Sequence, residues 1–197
     1  MDPGPESRSD ARRDEPAVRS ARPGDAAGIA AVHRESWRTT YAGILPLDVI
    51  AAQAGRTGEA AWRRRIVGQR ASNATWVAER DGGIVGFANC GDARHLLEGI
   101  DAEIYALYVL QQHQRRGAGR ELVRACARHF VRHGQFGFYL WVLKANRARL
   151  FYEALGGAEI GEKTERLGRL HSFAQVAYGW HDLTALVSPS GGDPTMP

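Results

Sequence analysis

"QHQRRGAGRELVRACARHF" (residues 112–130) is the stretch on which the reading of this chain turns. Gly117 and Gly119 stand between arginines, and a helical pattern begins on top of them. Leu122, Val123, Cys126 and Phe130 recur at the spacing of one apolar helix face. The first turn of a helix carries unpaired N–H groups and the positive end of the peptide dipoles. A glycine turn, arginines and that helix start in one place suit an anion, most often a phosphate.

The flanks say what the loop is built on. Upstream, "AEIYALYV" is a β-leaning run that delivers the chain to the loop. Before it, "TWVAER", the turn "DGG" and "IVGFANC" read as a hairpin. The chain opens with a short strand, "AVRSAR", and Asp25 is a candidate N-cap for a helix through "AAGIAAVHRESWRTT". "ILPLDVIAAQ", with Pro46 in its first turn, and "EAAWRRRIVGQR" read as two more helices. Downstream of a helix over 117–133 come the strand "FGFYLWVL", the helix "NRARLFYEALGG" stopped by glycine, and the strands "AEIGEK" and "SFAQVAYGWHDL". This is an α/β (α+β) pattern: a mixed sheet with helices on its faces. Residues 1–15 and 187–197 are too polar and too rich in Pro, Gly and Ser to bury a core. The expectation is one domain over 16–186 between two disordered tails.

Three phosphate loops compete. A nucleotide P-loop needs lysine and a hydroxyl after its last glycine, but Arg120 and Glu121 follow Gly119. A dinucleotide fold needs a third glycine where Leu122 stands, and an acid about twenty residues on, where Leu140 to Leu143 offer none. The remaining pattern is Gln-x-x-Gly-x-Gly at Gln114, Gly117 and Gly119, directly after a strand and opening a helix. It resembles the acyl-CoA loop of the GNAT superfamily of N-acetyltransferases. "LWVLKANRARLFYEALGG" resembles the next strand and helix of that family, with Asn146 and Tyr152 at its marked positions. "RESWRTTYAGILP" resembles the first helical region of one GNAT subset, and the likeness spans roughly residues 17–183.

The resemblance implies a mostly antiparallel sheet of about seven strands, flanked by helices on both faces. It implies acetyl-CoA as co-substrate, with no metal, and direct transfer of acetyl to a primary amine in a ternary complex. The pyrophosphate would sit on Gln114, Arg115, Arg116, Gly117, Ala118, Gly119 and Arg120. The pantetheine arm would pair with backbone near Leu107 and Val109 where the fourth and fifth strands splay, in the manner of an added strand. Asn146 would help hold the cofactor or Tyr152, and an N–H near Val109 would meet the developing oxyanion. Arg115 stands where many relatives have glycine, so the backbone there is expected to be unstrained. Gln111 replaces a common proline.

Single residues keep two readings. Glu103, the only acid from Ala102 to Val109, is a general base if an apolar setting raises its pKa, or an ordinary acid at a solvated strand start. It lies eleven residues before Gln114, the spacing of the base in GNAT-type histone acetyltransferases. Tyr152 is the acid that protonates the CoA thiolate, or an aromatic packed on the sheet. Trp37 and Tyr41 line an acceptor pocket, with Glu103 beside it, or anchor the first helix; Trp62 reads as core. Arg116, Arg120, Arg124, Arg128 and Arg132 form one ridge, the last three as a solvated face.

Composition bounds the alternatives. With 197 residues, 44% hydrophobic and 24% charged, the chain can bury a real core. The net charge of +4 is carried almost wholly by arginine, since Lys144 and Lys163 are the only lysines. Nucleic-acid binding is not expected, because no recognised module or set of interleaved stacking aromatics accompanies the arginines. His129 and His133 have helix spacing for a metal, but lack the glutamate and a third ligand. Cys90 and Cys126 form no metal or disulfide framework, and Cys126 reads as core. There is no apolar run for a signal peptide or a membrane span, so the expected setting is cytoplasmic, without membrane contact. Dimers are common in the family, which leaves room for a homodimer. A non-catalytic acyl-CoA-binding regulatory module would keep the same loop, and the acceptor could be a small amine, a peptide N-terminus or a lysine.

Overall fold

The computed structural model describes residues 16–167 and 171–188. The expected tails lie outside these residues, except Val187 and Ser188, which finish the last helix. The strands are β1 (Ala17–Ser20), β2 (Ala74–Arg80), β3 (Gly83–Leu97), β4 (Ile100–Val109), β5 (Phe138–Leu143), β6 (Ala158–Leu167) and β7 (His171–Trp180). They form one sheet in the order β1-β2-β3-β4-β5-β7-β6. Every adjacent pair is antiparallel except β4 and β5. The helices are α1 (Ala26–Thr40), α2 (Leu47–Arg56), α3 (Glu59–Val67), α4 (Ala118–Arg132), α5 (Arg149–Ala154) and α6 (Thr184–Val187).

Strand alternation sends side chains to both faces, and each face has its own core. On one, Leu122, Val123, Cys126 and Phe130 of α4 bury against Ala88, Ile104, Leu140 and Val142. On the other, Ile29 and Val32 of α1 with Trp62 and Ile66 of α3 close over Val77 and Phe87. A smaller cluster there joins Leu45, Val49 and Ile50 to Leu143, with Trp37 and Tyr41 packed against it. The molecule is therefore a helix–sheet–helix sandwich. Of the expected site residues, Glu103, Leu107 and Val109 lie on the middle strand β4, and the others on helices and loops around it.

Local chemistry explains most boundaries. Asp81 and Gly82, both at positive φ, make the tight β2–β3 turn. Gly156 at φ +82° stops α5, with the Gly157 N–H donating to the Tyr152 carbonyl. Two expectations are corrected. β3 continues seven residues past Cys90 and turns back into β4 through Glu98 and Gly99, again at positive φ. Asp25 does not cap α1: its carboxylate accepts the Arg22 N–H at 2.6 Å and grips Arg19.

Candidate functional site

β4 and β5 meet at one register pair, Glu103 opposite Tyr139, and share no further ladder. The Tyr139 hydroxyl clamps that junction, donating to the His95 carbonyl at 2.7 Å and lying 3.3 Å from Glu103 Oε2. Beyond it the strands part and the backbone edges between them are open. The Leu110 N–H donates to Val85 on the β3 side at 2.9 Å. Strand alternation then turns the N–H groups of Val109 and Leu107 toward the opening. The result is a cleft of about 1990 Å³ running between the strands and under α1 and α3.

The glycine loop sits at the mouth of this cleft. Gln114 Nε2 donates to the Val109 carbonyl at 3.1 Å and so ties the loop to the strand end. Gly117 has φ +85° and is the N-cap of α4, a conformation a side chain would strain. Gly119 is needed for a different reason: a Cβ there would lie 3.1 Å from the Phe151 ring. Arg115 is at φ +59°, so the unstrained backbone expected at that residue is not what forms. Leu107, Val109, Gln114, Arg115, Gly117, Gly119 and Arg120 line the cleft, whereas Arg116 and Ala118 do not. Of the expected solvated ridge, Arg124 departs, being mostly buried and paired with Glu121 at 2.7 Å.

Tyr152 reaches the cleft from α5 and is 7% exposed. Burial first, and then the nearby Tyr41 phenol, push its pKa well up, so the hydroxyl remains a proton donor through the neutral range. Asn146 also lines the cleft, and its Oδ1 accepts the Ala148 N–H at 2.9 Å. That bond makes an Asx turn ahead of α5, whose N-cap is Ala148, so Asn146 shapes the entry to the helix without being its cap. Trp37 and Tyr41 face the cleft with ring centroids 4.4 Å apart, and Tyr41 interacts with the hydroxyl of Tyr108. The structure thus brings Trp37, Tyr41, Asn146, Tyr152 and the loop to one space.

Glu103 is placed differently. It is 1% exposed and is not among the residues lining the cleft. Its surroundings are not apolar: Oε2 accepts from Arg94 N–H at 3.1 Å and Arg94 Nε at 3.0 Å, and Oε1 from Arg94 Nη2. Arg94, which holds the carboxylate, does line the cleft. Sequence reasoning missed Arg94 because its pairing with Glu103 depends on the β3–β4 hairpin, whose charged tail shows no alternation. It also missed Lys163, whose Nζ lies 4.1 Å from the Trp141 ring centroid, and His33. His33 is 8% exposed, and burial first, then Arg65, bring its pKa down to about 4. Among the described residues no three His, Cys, Asp or Glu side chains group as a metal site. His129 and His133 instead bond the carbonyls of Ser72 and His129. No helix of the described residues is long and apolar enough to cross a membrane.

Comparison with known proteins gives a consistent result. Residues 28–157 match the acetyltransferase (GNAT) family. Over 170 residues the chain is 35% identical to the uncharacterized N-acetyltransferase YuaI of Bacillus subtilis, covering 86% of this chain and 95% of that one. It is 32% identical over 144 residues to a probable N-acetyltransferase of Mycobacterium tuberculosis, Rv2775, covering 69% and 76%. In fold it is similar to yncA of Salmonella typhimurium, a putative acetyltransferase solved with its cofactor acetyl-CoA. That match has a TM-score of 0.62 at 20% identity and covers 91% of this chain and 98% of the other.

Proposed function

The chain belongs to the acetyltransferase (GNAT) family, and on that premise we propose that it moves acetyl from acetyl-CoA to a primary amine, both bound at once in the β4–β5 cleft. The observation that carries the reading is the single-pair junction of β4 and β5, which leaves Leu107 and Val109 backbone open beside a helix-capping glycine loop. The loop N–H groups, with Arg115 and Arg120 at the mouth, suit a pyrophosphate. The open strand edges suit an amide-rich arm that pairs as a strand does. Holding donor and amine side by side supplies much of the rate by orientation alone.

Each residue has a role in this scheme. The Val109 N–H points to where negative charge develops on the carbonyl oxygen. Tyr152, kept protonated by burial, gives its proton to the departing thiolate. Trp37 and Tyr41 shape the acceptor side. Glu103 as general base would act through water, past Arg94, and would have to take its proton out of an ion pair. We favour loss of the ammonium proton to water, with Glu103 holding Arg94 in position. The two unpaired cysteines suit a reducing compartment, and we place the protein in the cytoplasm.

The test is linkage. Acetyl-CoA at about 100 times its Kd stabilises the folded chain by about 2.7 kcal/mol, read as a raised melting temperature. ATP and NAD at the same concentration should do much less. Equal stabilisation by ATP would count against the assignment.

A further inference from the structure

Away from the glycine loop the cleft is strongly basic. Beyond the glycine loop its wall includes Arg64, Arg65 and Arg70 from α3 and the turn after it, Arg94 from β3, and Lys163 and Arg166 from β6. Among the described residues, Asp92 and Glu165 are the only carboxylates lining the cleft against them. Arg94 is committed to buried Glu103, and Lys163 lies 3.9 Å from Glu165. Among the described residues Arg64, Arg70 and Arg166 make no ion pair. The cationic field also reaches the interior. Arg65 adds to the lowering of the His33 pKa, burial being the larger cause. At Lys163 burial lowers the pKa, and Glu165 opposes it more than Arg94 adds to it.

Neutral acceptor atoms accompany the cations. Gln175 stands opposite Lys163 in the β6–β7 register and lines the cleft, and its buried Oε1 has no donor. Gln69 Oε1, on the α3 side of the same cleft, is likewise buried without a donor. Such a wall offers guanidinium groups for a carboxylate and amide oxygens for an amine.

We propose that the acceptor is a small amine that also carries a carboxylate, of the α-amino-acid type, and that the cleft discriminates against polycationic amines. The inference rests on the acetyl-transfer reading above. Arginine matches a carboxylate with two parallel N–H bonds, which fixes the bound orientation as well as the charge. A polyamine or aminoglycoside would bring several positive charges against unpaired guanidinium groups, and like charges in a cleft select against the wrong partner. The same field favours the neutral form of the acceptor amine, because a nearby like charge disfavours ionisation. The amine that attacks the thioester carbonyl must have lost that proton. The C–N bond forms as the carbonyl oxygen takes up negative charge, and the nitrogen gives its remaining extra proton to water. The C–S bond then breaks, with the thiolate leaving as CoA after gaining a proton from Tyr152. A cationic wall therefore assists the step for which, among the described residues, the cleft presents no unpaired buried carboxylate.

The experiment compares initial rates at saturating acetyl-CoA, read as free thiol. The probes are a set of α-amino acids, the same amino acids as α-carboxamides, and spermidine. The carboxylate forms should have kcat/KM at least ~10-fold above their carboxamides, a difference of about 1.4 kcal/mol. Spermidine should be the poorest acceptor. Arg70→Gln combined with Arg166→Gln, both on exposed side chains, should shrink the carboxylate-to-carboxamide ratio with the KM for acetyl-CoA held. Carboxamides or spermidine turned over as well as the amino acids would overturn the inference and leave the transferase reading standing. Turnover of no amine, with acetyl-CoA still raising the melting temperature, would overturn both.

Discussion

Tyr152 tests whether a phenol in the cleft acts on the reaction or only fills space. Its ring packs against Tyr178 and Trp180, with centroids 5.9 and 6.4 Å away, and Tyr152→Phe keeps that packing. Loss of a general acid typically costs about 10²–10⁴-fold in rate, while one neutral hydrogen bond is worth about 1 kcal/mol of stability. The variant should fold, bind acetyl-CoA with near-native affinity, and show kcat down at least ~10-fold, allowing for water as a substitute acid. An unchanged kcat with a lowered melting temperature would make Tyr152 a packing residue. Glu103 gives the opposite expectation. Because its oxygens are taken up by Arg94 and Tyr139, Glu103→Gln should cost about 2 kcal/mol of stability, the scale of hydrogen bonds to a charged group. The shape of the pH profile of kcat/KM should persist. Disappearance of its acidic limb would return Glu103 to the role of base.

At the scale of elements, the turn between β4 and α4 stores strain that can be measured. Arg115 at φ +59° occupies a region costing an L-residue roughly 1–2 kcal/mol, and glycine gives back part of that as chain entropy. Arg115→Gly should therefore raise stability by up to about 1 kcal/mol, seen in denaturant midpoint at constant slope. A fall would mean that the Arg115 side chain makes contacts outweighing the strain. This turn also shows where sequence reading succeeds and stops. Helix α1 was legible to the residue from its apolar period and the Pro-Gly turn before it, although Asp25 does not act as its side-chain cap. The turn into α4 was legible at Gly117 and Gly119, because a left-handed turn and a close approach of backbone to the Phe151 ring must be written in glycine. The φ of Arg115 was not, since no residue type announces a left-handed conformation that its surroundings impose. The long tail of β3 was hidden because charged residues replace the alternation a strand leaves on a half-buried face. With it went the Arg94–Glu103 pair, which exists only once Asp92 has come opposite Ala102 in the hairpin. Cleft lining by Lys163 and Gln175 depends on β6 and β7 arriving beside β5, a pairing remote in the chain.

The whole molecule is organised around a sheet that opens between its two parallel strands, β4 and β5. Both helical layers converge on that gap, and their burial there has a pH signature. The pKa of His33 falls to about 4 in the folded protein, below its ordinary 6.5. As pH drops from 6.5 toward 4, the unfolded chain takes up a proton that the folded one refuses, so stability falls over that window and is complete above it. Urea midpoints should decline from pH 7 to pH 5, and His33→Phe should decline less; equal declines would remove His33 as a contributor. The central claim is that the open β4–β5 cleft holds acetyl-CoA and amine together and passes acetyl directly between them. Initial velocities with both substrates varied test it most directly. Double-reciprocal lines that intersect, with one acetylated amine formed per free CoA, are the predicted result. Parallel lines, as from an acetylated enzyme formed before the amine binds, would contradict it.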